Sequence, residues 1–132
     1  MKRIIIWGTS IKAKKLLSYL NFDKVEIIGF TDNDFSKSYN DCFIGGYPYV
    51  PWEDILKEKY DYVLIASSAF CEITIQLVFH GVLPEKIIQA YNCQFMFPNA
   101  LYFFNKLELD QDKYDIFVRL DTLCFEAGIG DL

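Results

Sequence analysis

Apolar positions along the chain fall into two kinds of pattern. Residues 2–7 (KRIIIW) are a β-branched run that stops at Gly8, and the next stretch places apolar residues at Ile11, Leu16, Leu17 and Leu20, a helical spacing. The order is strand, tight turn, helix. The Thr9 or Ser10 hydroxyl is the expected cap of that helix, accepting from its orphan backbone N–H groups. Residues 25–31 (VEIIGFT) predict a second strand, buried on both faces, that ends in Asp32, Asn33 and Asp34. Residues 35–50 predict an irregular segment punctuated by Gly45, Gly46 and Pro48. Pro51 opens a helix through Leu56, because its fixed φ suits the first helical position and Glu53 and Asp54 favour the positive end of the dipole.

Residues 61–66 (DYVLIA) predict a third core strand that runs into Ser67 and Ser68. Residues 69–80 then predict a helix stopped by Gly81, and residues 86–90 (KIIQA) a fourth strand. Strands alternating with helices over short loops imply the α/β class: a parallel sheet with helices on both faces and right-handed crossovers. From Tyr91 the alternation ends, and residues 98–106 and 113–127 predict two terminal helices. The expected organisation is one α/β unit over 1–92 and an aromatic-rich helical extension over 93–132.

Composition narrows the function classes. A chain of 132 residues with 52% hydrophobic and 23% charged residues buries enough surface to fold without disulfide or metal staples. Cys42, Cys71, Cys93 and Cys124 form no C-x-x-C pair, and the N-terminus lacks a signal peptide's long apolar stretch, so a reducing cytoplasm is the expected compartment. No window approaches the roughly 20 apolar residues of a membrane span. The net charge of −5 belongs to the tail: residues 1–105 carry 10 basic and 11 acidic groups, residues 106–132 carry 3 and 7. A nearly neutral body without a basic stripe argues against nucleic acid as a partner. Tyr91, Phe95, Phe97, Tyr102, Phe103 and Phe104 fall within 14 residues, a density that needs a core or a second copy of the chain to cover it.

The strongest chemical signal lies where the first strand meets the first helix. Gly8, Thr9, Ser10, Ile11, Lys12 and Ala13 are a degraded G-x-G-x-x-G fingerprint that keeps its first glycine. In an intact motif the second glycine lets backbone approach a pyrophosphate and the third lets helix pack on strand. Ala13 can do the third job, whereas Ser10 adds a side chain where phosphate lies, which favours a mononucleotide or a differently placed diphosphate over a dinucleotide. The helix N-terminus offers N–H groups to an anion, with Lys12 one turn in. Asp32 ends the second strand at the distance where an acid commonly accepts from ribose hydroxyls, although Asp-Asn-Asp is also ordinary turn chemistry. Ser67 and Ser68 end the third strand on the edge where open α/β sheets bind ligands; the alternative role is capping of the next helix.

Other motifs carry less. Tyr102 and Lys106 have the Tyr-x-x-x-Lys spacing of short-chain dehydrogenases, without the upstream serine or glycine-rich opening of those enzymes. His80, the one histidine, ends a helix where a cation suits the dipole. No metal-ligand spacing and no nucleophile-base pair is recognisable, so no catalytic residue is assigned. Residues 126–130 (EAGIG) have the acidic, glycine-bearing look of a turn from an S-adenosylmethionine site, yet two residues follow them.

The blocks IIIWGTS, IIGFTDND, IGGYPYVPWEDI, YDYVLIASS and GVLPEKII make residues 3–90 resemble the small Rossmann-like nucleotide-binding domain of sugar-modifying bacterial proteins. That group is related to the N-terminal domains of nucleotide-sugar dehydratases and sugar acyltransferases. The resemblance implies a nucleotide or nucleotide-sugar held by Gly8, Thr9, Ser10, Asp32, Asn33, Ser67 and Ser68. Residues 113–127 (KYDIFVRLDTLCFEA) resemble the helix that introduces the catalytic domain of macrocin O-methyltransferase-like proteins. Together these imply a binding domain for polysaccharide biosynthesis, the N-terminal part of a sugar O-methyltransferase and not catalytically complete by itself. The rivals are an NAD-dependent oxidoreductase or dehydratase domain, with Tyr102 and Lys106 as its proton-transfer pair, and a homodimerising module that associates through residues 91–104.

Overall fold

The computed structural model describes residues 1–34, 43–90 and 115–117, apart from the side chains of Lys12 and Phe43. Four parallel strands make the central sheet: β1 (Lys2–Trp7), β2 (Val25–Thr31), β5 (Tyr62–Ile65) and β6 (Ile87–Gln89), in the spatial order β2-β1-β5-β6. The connections carry α1 (Ile11–Leu16), α2 (Trp52–Ile55) and α3 (Phe70–Phe79). The α/β class and parallel sheet expected from the alternation are what the chain adopts.

Both faces of the sheet are covered, which explains why its strands read as continuous apolar runs. Side chains alternate across β1. Ile4 and Ile6 pack with Ala13 and Leu16 of α1, whereas Ile5 and Trp7 pack with Ile55 of α2 and with Ile73 and Leu77 of α3. Helix α1 leads outward to β2 on one side of β1, and α3 leads to β6 on the other side of β5. Crossovers of one hand that step in opposite directions must lie on opposite faces, as these do. Helix α3 ends where Gly81 was expected to stop it: Gly81 N–H donates to the Val78 carbonyl and Val82 N–H to that of Leu77, the bonding of a Schellman cap. Val82 and Leu77 close it within the same buried cluster.

Three details depart from the sequence pattern. Residues 43–48, expected to be irregular, form a hairpin of β3 (Phe43–Ile44) and β4 (Tyr47–Pro48). Gly45 and Gly46 make its two-residue turn with φ of 58° and 88°, the conformation whose twist matches the paired strands. Directly after it, Tyr49 bridges Phe30 in parallel and Val50 N–H donates to the Phe30 carbonyl, extending the sheet outside β2. Pro51 stands at the cap position of α2 with ψ of 141°, one place before the first helical residue.

The third departure concerns the helix expected over 113–127. Asp115 is helical, but Phe117 makes an antiparallel bridge with Leu20, and Asn21 N–H donates to the Ile116 carbonyl. A backbone paired in this way is not helical at Phe117. Burial explains the choice, since Ile116 and Phe117 join the cluster on the α1 face. The rest of that segment, the helix expected over 98–106 and the aromatic block 91–104 lie outside the described residues. Among the described residues no helix is long and apolar enough to cross a membrane.

Candidate functional site

At the carboxyl ends of the strands the sheet opens. The loop leaving β1 turns to α1 on one face and the loop leaving β5 turns to α3 on the other, so adjacent strands send their connections apart. The gap is a cleft of about 750 Å³, lined by Gly8, Thr9, Ser10 and Ile11, by Asp32 and Asn33, by residues 66–69, and by Glu72, Ile73 and Gln76 of α3. This is the crevice in which open α/β sheets hold ligands.

Gly8 is required by the packing beneath the cleft. Its φ is 130°, and a Cβ there would lie 2.7 Å from the Ala66 carbonyl oxygen. The same Cβ would lie 3.6 Å from Ala13 Cβ, so the helix sits as close to the strand as Ala13 allows. Ala13 is fully buried and does take the place of the motif's third glycine. Gly8 N–H donates to the Thr31 carbonyl at 2.8 Å, which leaves the Thr9 and Ser10 side chains at the rim.

The Ser10 hydroxyl does not take the capping role expected of it. Ser10 is the N-cap residue of α1 and makes no side-chain cap bond. Thr9 Oγ1 donates to Asp32 Oδ2 at 2.7 Å. A charged acceptor strengthens that bond. Helix α1 is six residues long before it tightens into a 3₁₀ turn, so its dipole is short and the turn amides are the main attraction for an anion.

Asp32 is held firmly. Besides Thr9, its carboxylate accepts from Tyr49 Oη at 2.8 Å and from the backbone N–H of Asp34 at 2.9 Å. The last bond is the Asx turn expected of Asp-Asn-Asp, so the turn chemistry and the strand-end position coexist in one residue. Asn33 is tied by a reciprocal amide pair to Gln76. Ser67 Oγ accepts from Ala69 N–H at 3.2 Å and shapes the turn before α3, whose cap residue is Ala69. Ser68 is exposed at the rim.

The structure thus brings seven of the eight expected residues to one cleft: Gly8, Thr9, Ser10, Asp32, Asn33, Ser67 and Ser68. The side chain of Lys12 lies outside the described atoms. Sequence reasoning missed Tyr49, Glu72 and Gln76. Tyr49 carried no signal, being 17 residues from the acid it binds. Glu72 and Gln76 carried a weak one, standing one turn apart on the helix that follows Ser67 and Ser68. Among the described lining side chains the charged groups are Asp32 and Glu72, both acidic. Hydroxyl groups suit them as donors. His80 stands apart, its ring edge-on to Trp52 at 4.6 Å. Tyr102 and Lys106 lie outside the described residues.

Residues 1–88 match the family described as C2185-like, N-terminal, a span that contains every residue of the cleft. The chain belongs to this family. A comparison with curated proteins gives no match.

Proposed function

We propose that this C2185-like N-terminal domain is a Rossmann-like domain that binds a nucleotide or nucleotide-sugar. The observation that carries the reading is the convergence of three strand-end segments, 8–10, 32–33 and 67–68, on one cleft between β1 and β5. Strand order adds support. Counting the Tyr49 bridge beside β2 as a rudimentary third strand, the sheet has the 3-2-1-4-5 order of nucleotide-binding doubly wound folds. The ligand's phosphate lies over 8–10 and its ribose hydroxyls donate to Asp32. On this reading the binding domain precedes a sugar-modifying, O-methyltransferase unit in a cytoplasmic protein. The family's description as N-terminal accords with that placement.

The test is an amide-resonance titration of the 15.4 kDa chain with UDP-sugars, dTDP-sugars, NAD and S-adenosylmethionine. Resonances of Gly8, Ser10, Asp32 and Ser67 are expected to move together with one of the first two classes. Movement with NAD alone supports the oxidoreductase rival.

A second reading, a module that associates with its own copy, is favoured by one feature. Helix α3 turns Ile75, Val78 and Phe79 outward, the last 88% exposed. On that reading Phe79→Glu converts a dimer to a monomer in sedimentation; on the binding reading it leaves the sedimentation coefficient unchanged.

A further inference from the structure

We infer that Gln76 is the residue that reads the base of the ligand, an inference that rests on the nucleotide reading above. Asn33 Nδ2 donates to Gln76 Oε1 at 3.1 Å and Gln76 Nε2 donates to Asn33 Oδ1 at 2.9 Å. The pair joins the loop after β2 to α3 across 43 residues of sequence, and both side chains line the cleft. Position follows from Asp32. Thr9 binds the carboxylate from the phosphate side, so a ribose seated on this acid directs its base away from the 8–10 turn, toward Asn33 and Gln76.

Chemistry matches position. A side-chain amide offers an acceptor and a donor side by side, which matches the N3–H donor and O4 acceptor on the edge of a uracil or thymine. The Asn33 amide presents the complementary pattern to Gln76, as a base edge does. Both groups are neutral and their bonds are exposed, so exchanging one partner for the other costs little. Ile73, one turn earlier on α3 and 5% exposed, adds apolar surface to the cleft against which a ring face can lie. The sequence anchors Gln76 on a helix and Asn33 on a loop. The loop amide is therefore the one that withdraws, and the helical amide the one that stays to bind the base.

Calorimetric titration of the full chain with UMP and with ribose 5-phosphate separates the parts. UMP is expected to bind about tenfold more tightly than ribose 5-phosphate, the worth of one to two net hydrogen bonds. Gln76→Ala is expected to erase that preference while leaving the affinity for ribose 5-phosphate within about twofold. A UMP preference that survives Gln76→Ala overturns the inference and leaves the nucleotide reading standing. Failure of both probes to bind the parent chain overturns the two together.

Discussion

The Thr9 hydroxyl donates a 2.7 Å hydrogen bond to the Asp32 carboxylate, tying the turn after β1 to the turn after β2 over a separation of 23 residues. With Tyr49 and the Asp34 amide on the same carboxylate, one acid organises the rim of the cleft.

Asp32→Ala is therefore expected to act twice. Hydrogen bonds to a charged group contribute about 1.5 to 3 kcal/mol, and losing these should lower stability by that order. At roughly 4 °C per kcal/mol the melting temperature should fall by about 6 to 12 °C. Affinity for a ribose-containing ligand should drop by about 1 to 3 kcal/mol, measured by titration. Tyr49→Phe should cost less stability, about 1 kcal/mol, and should add less than that in the Asp32→Ala background, where the hydroxyl has lost the carboxylate and keeps the Asp34 carbonyl.

Gly8→Ala should cost about 3 kcal/mol or more in urea unfolding, since strain and a clash with the Ala66 carbonyl coincide there. Gly46→Ala is the control. Its φ is also positive, but nothing lies within 4 Å of the added Cβ, so about 1 to 2 kcal/mol is expected. Equal costs at the two positions would mean that packing of the turn on β5 contributes nothing.

Thr31→Val should stabilise the chain by about 1 kcal/mol. Thr31 is fully buried at the end of β2 and its Oγ1 has no hydrogen-bond partner among the described residues, so its desolvation is uncompensated. A valine keeps the shape and favours the strand. Destabilisation by more than about 1 kcal/mol would show that the hydroxyl is bound to something.

Burial raises the Tyr60 phenol above its ordinary value, beside Lys86 whose ammonium lies 5.2 Å from the ring centroid. The neutral phenol is the form the fold favours. Its contribution is complete below the unfolded value of about 10 and is lost as pH rises through the higher folded value. Melting temperature should decline across that alkaline range, and Tyr60→Phe should decline less. A parallel decline in the two chains would remove Tyr60 as the cause.

The sheet was legible because its signals are local. The runs at residues 2–7 and 25–31 are rich in β-branched residues, and β1 and β2 begin and end where those runs do. The cleft's corner residues were legible for the same reason, each following a strand. The bonds that join them were not: Thr9 to Asp32, Tyr49 to Asp32 and Asn33 to Gln76 link residues far apart in sequence, and no spacing announces them. The hairpin was missed because its strands are two residues long, too short for alternation to register, although the Gly-Gly turn was present. At Phe117 helical spacing misled, because the apolar residues there satisfy a bridge to Leu20 as well as they would a helix.

The central claim is that the cleft binds a nucleotide, and thermal melting with a ligand panel tests it most directly. NAD, NADP, S-adenosylmethionine, UDP-sugars and dTDP-sugars are each added at millimolar concentration to the parent chain and to Asp32→Ala. A ligand at 100 times its dissociation constant adds about 2.7 kcal/mol to the stability of the folded state, a rise in melting temperature on the order of 10 °C for a domain of this size. A UDP- or dTDP-sugar is expected to raise the parent melt by that order and Asp32→Ala by much less. A panel in which no ligand moves the parent melt contradicts the account.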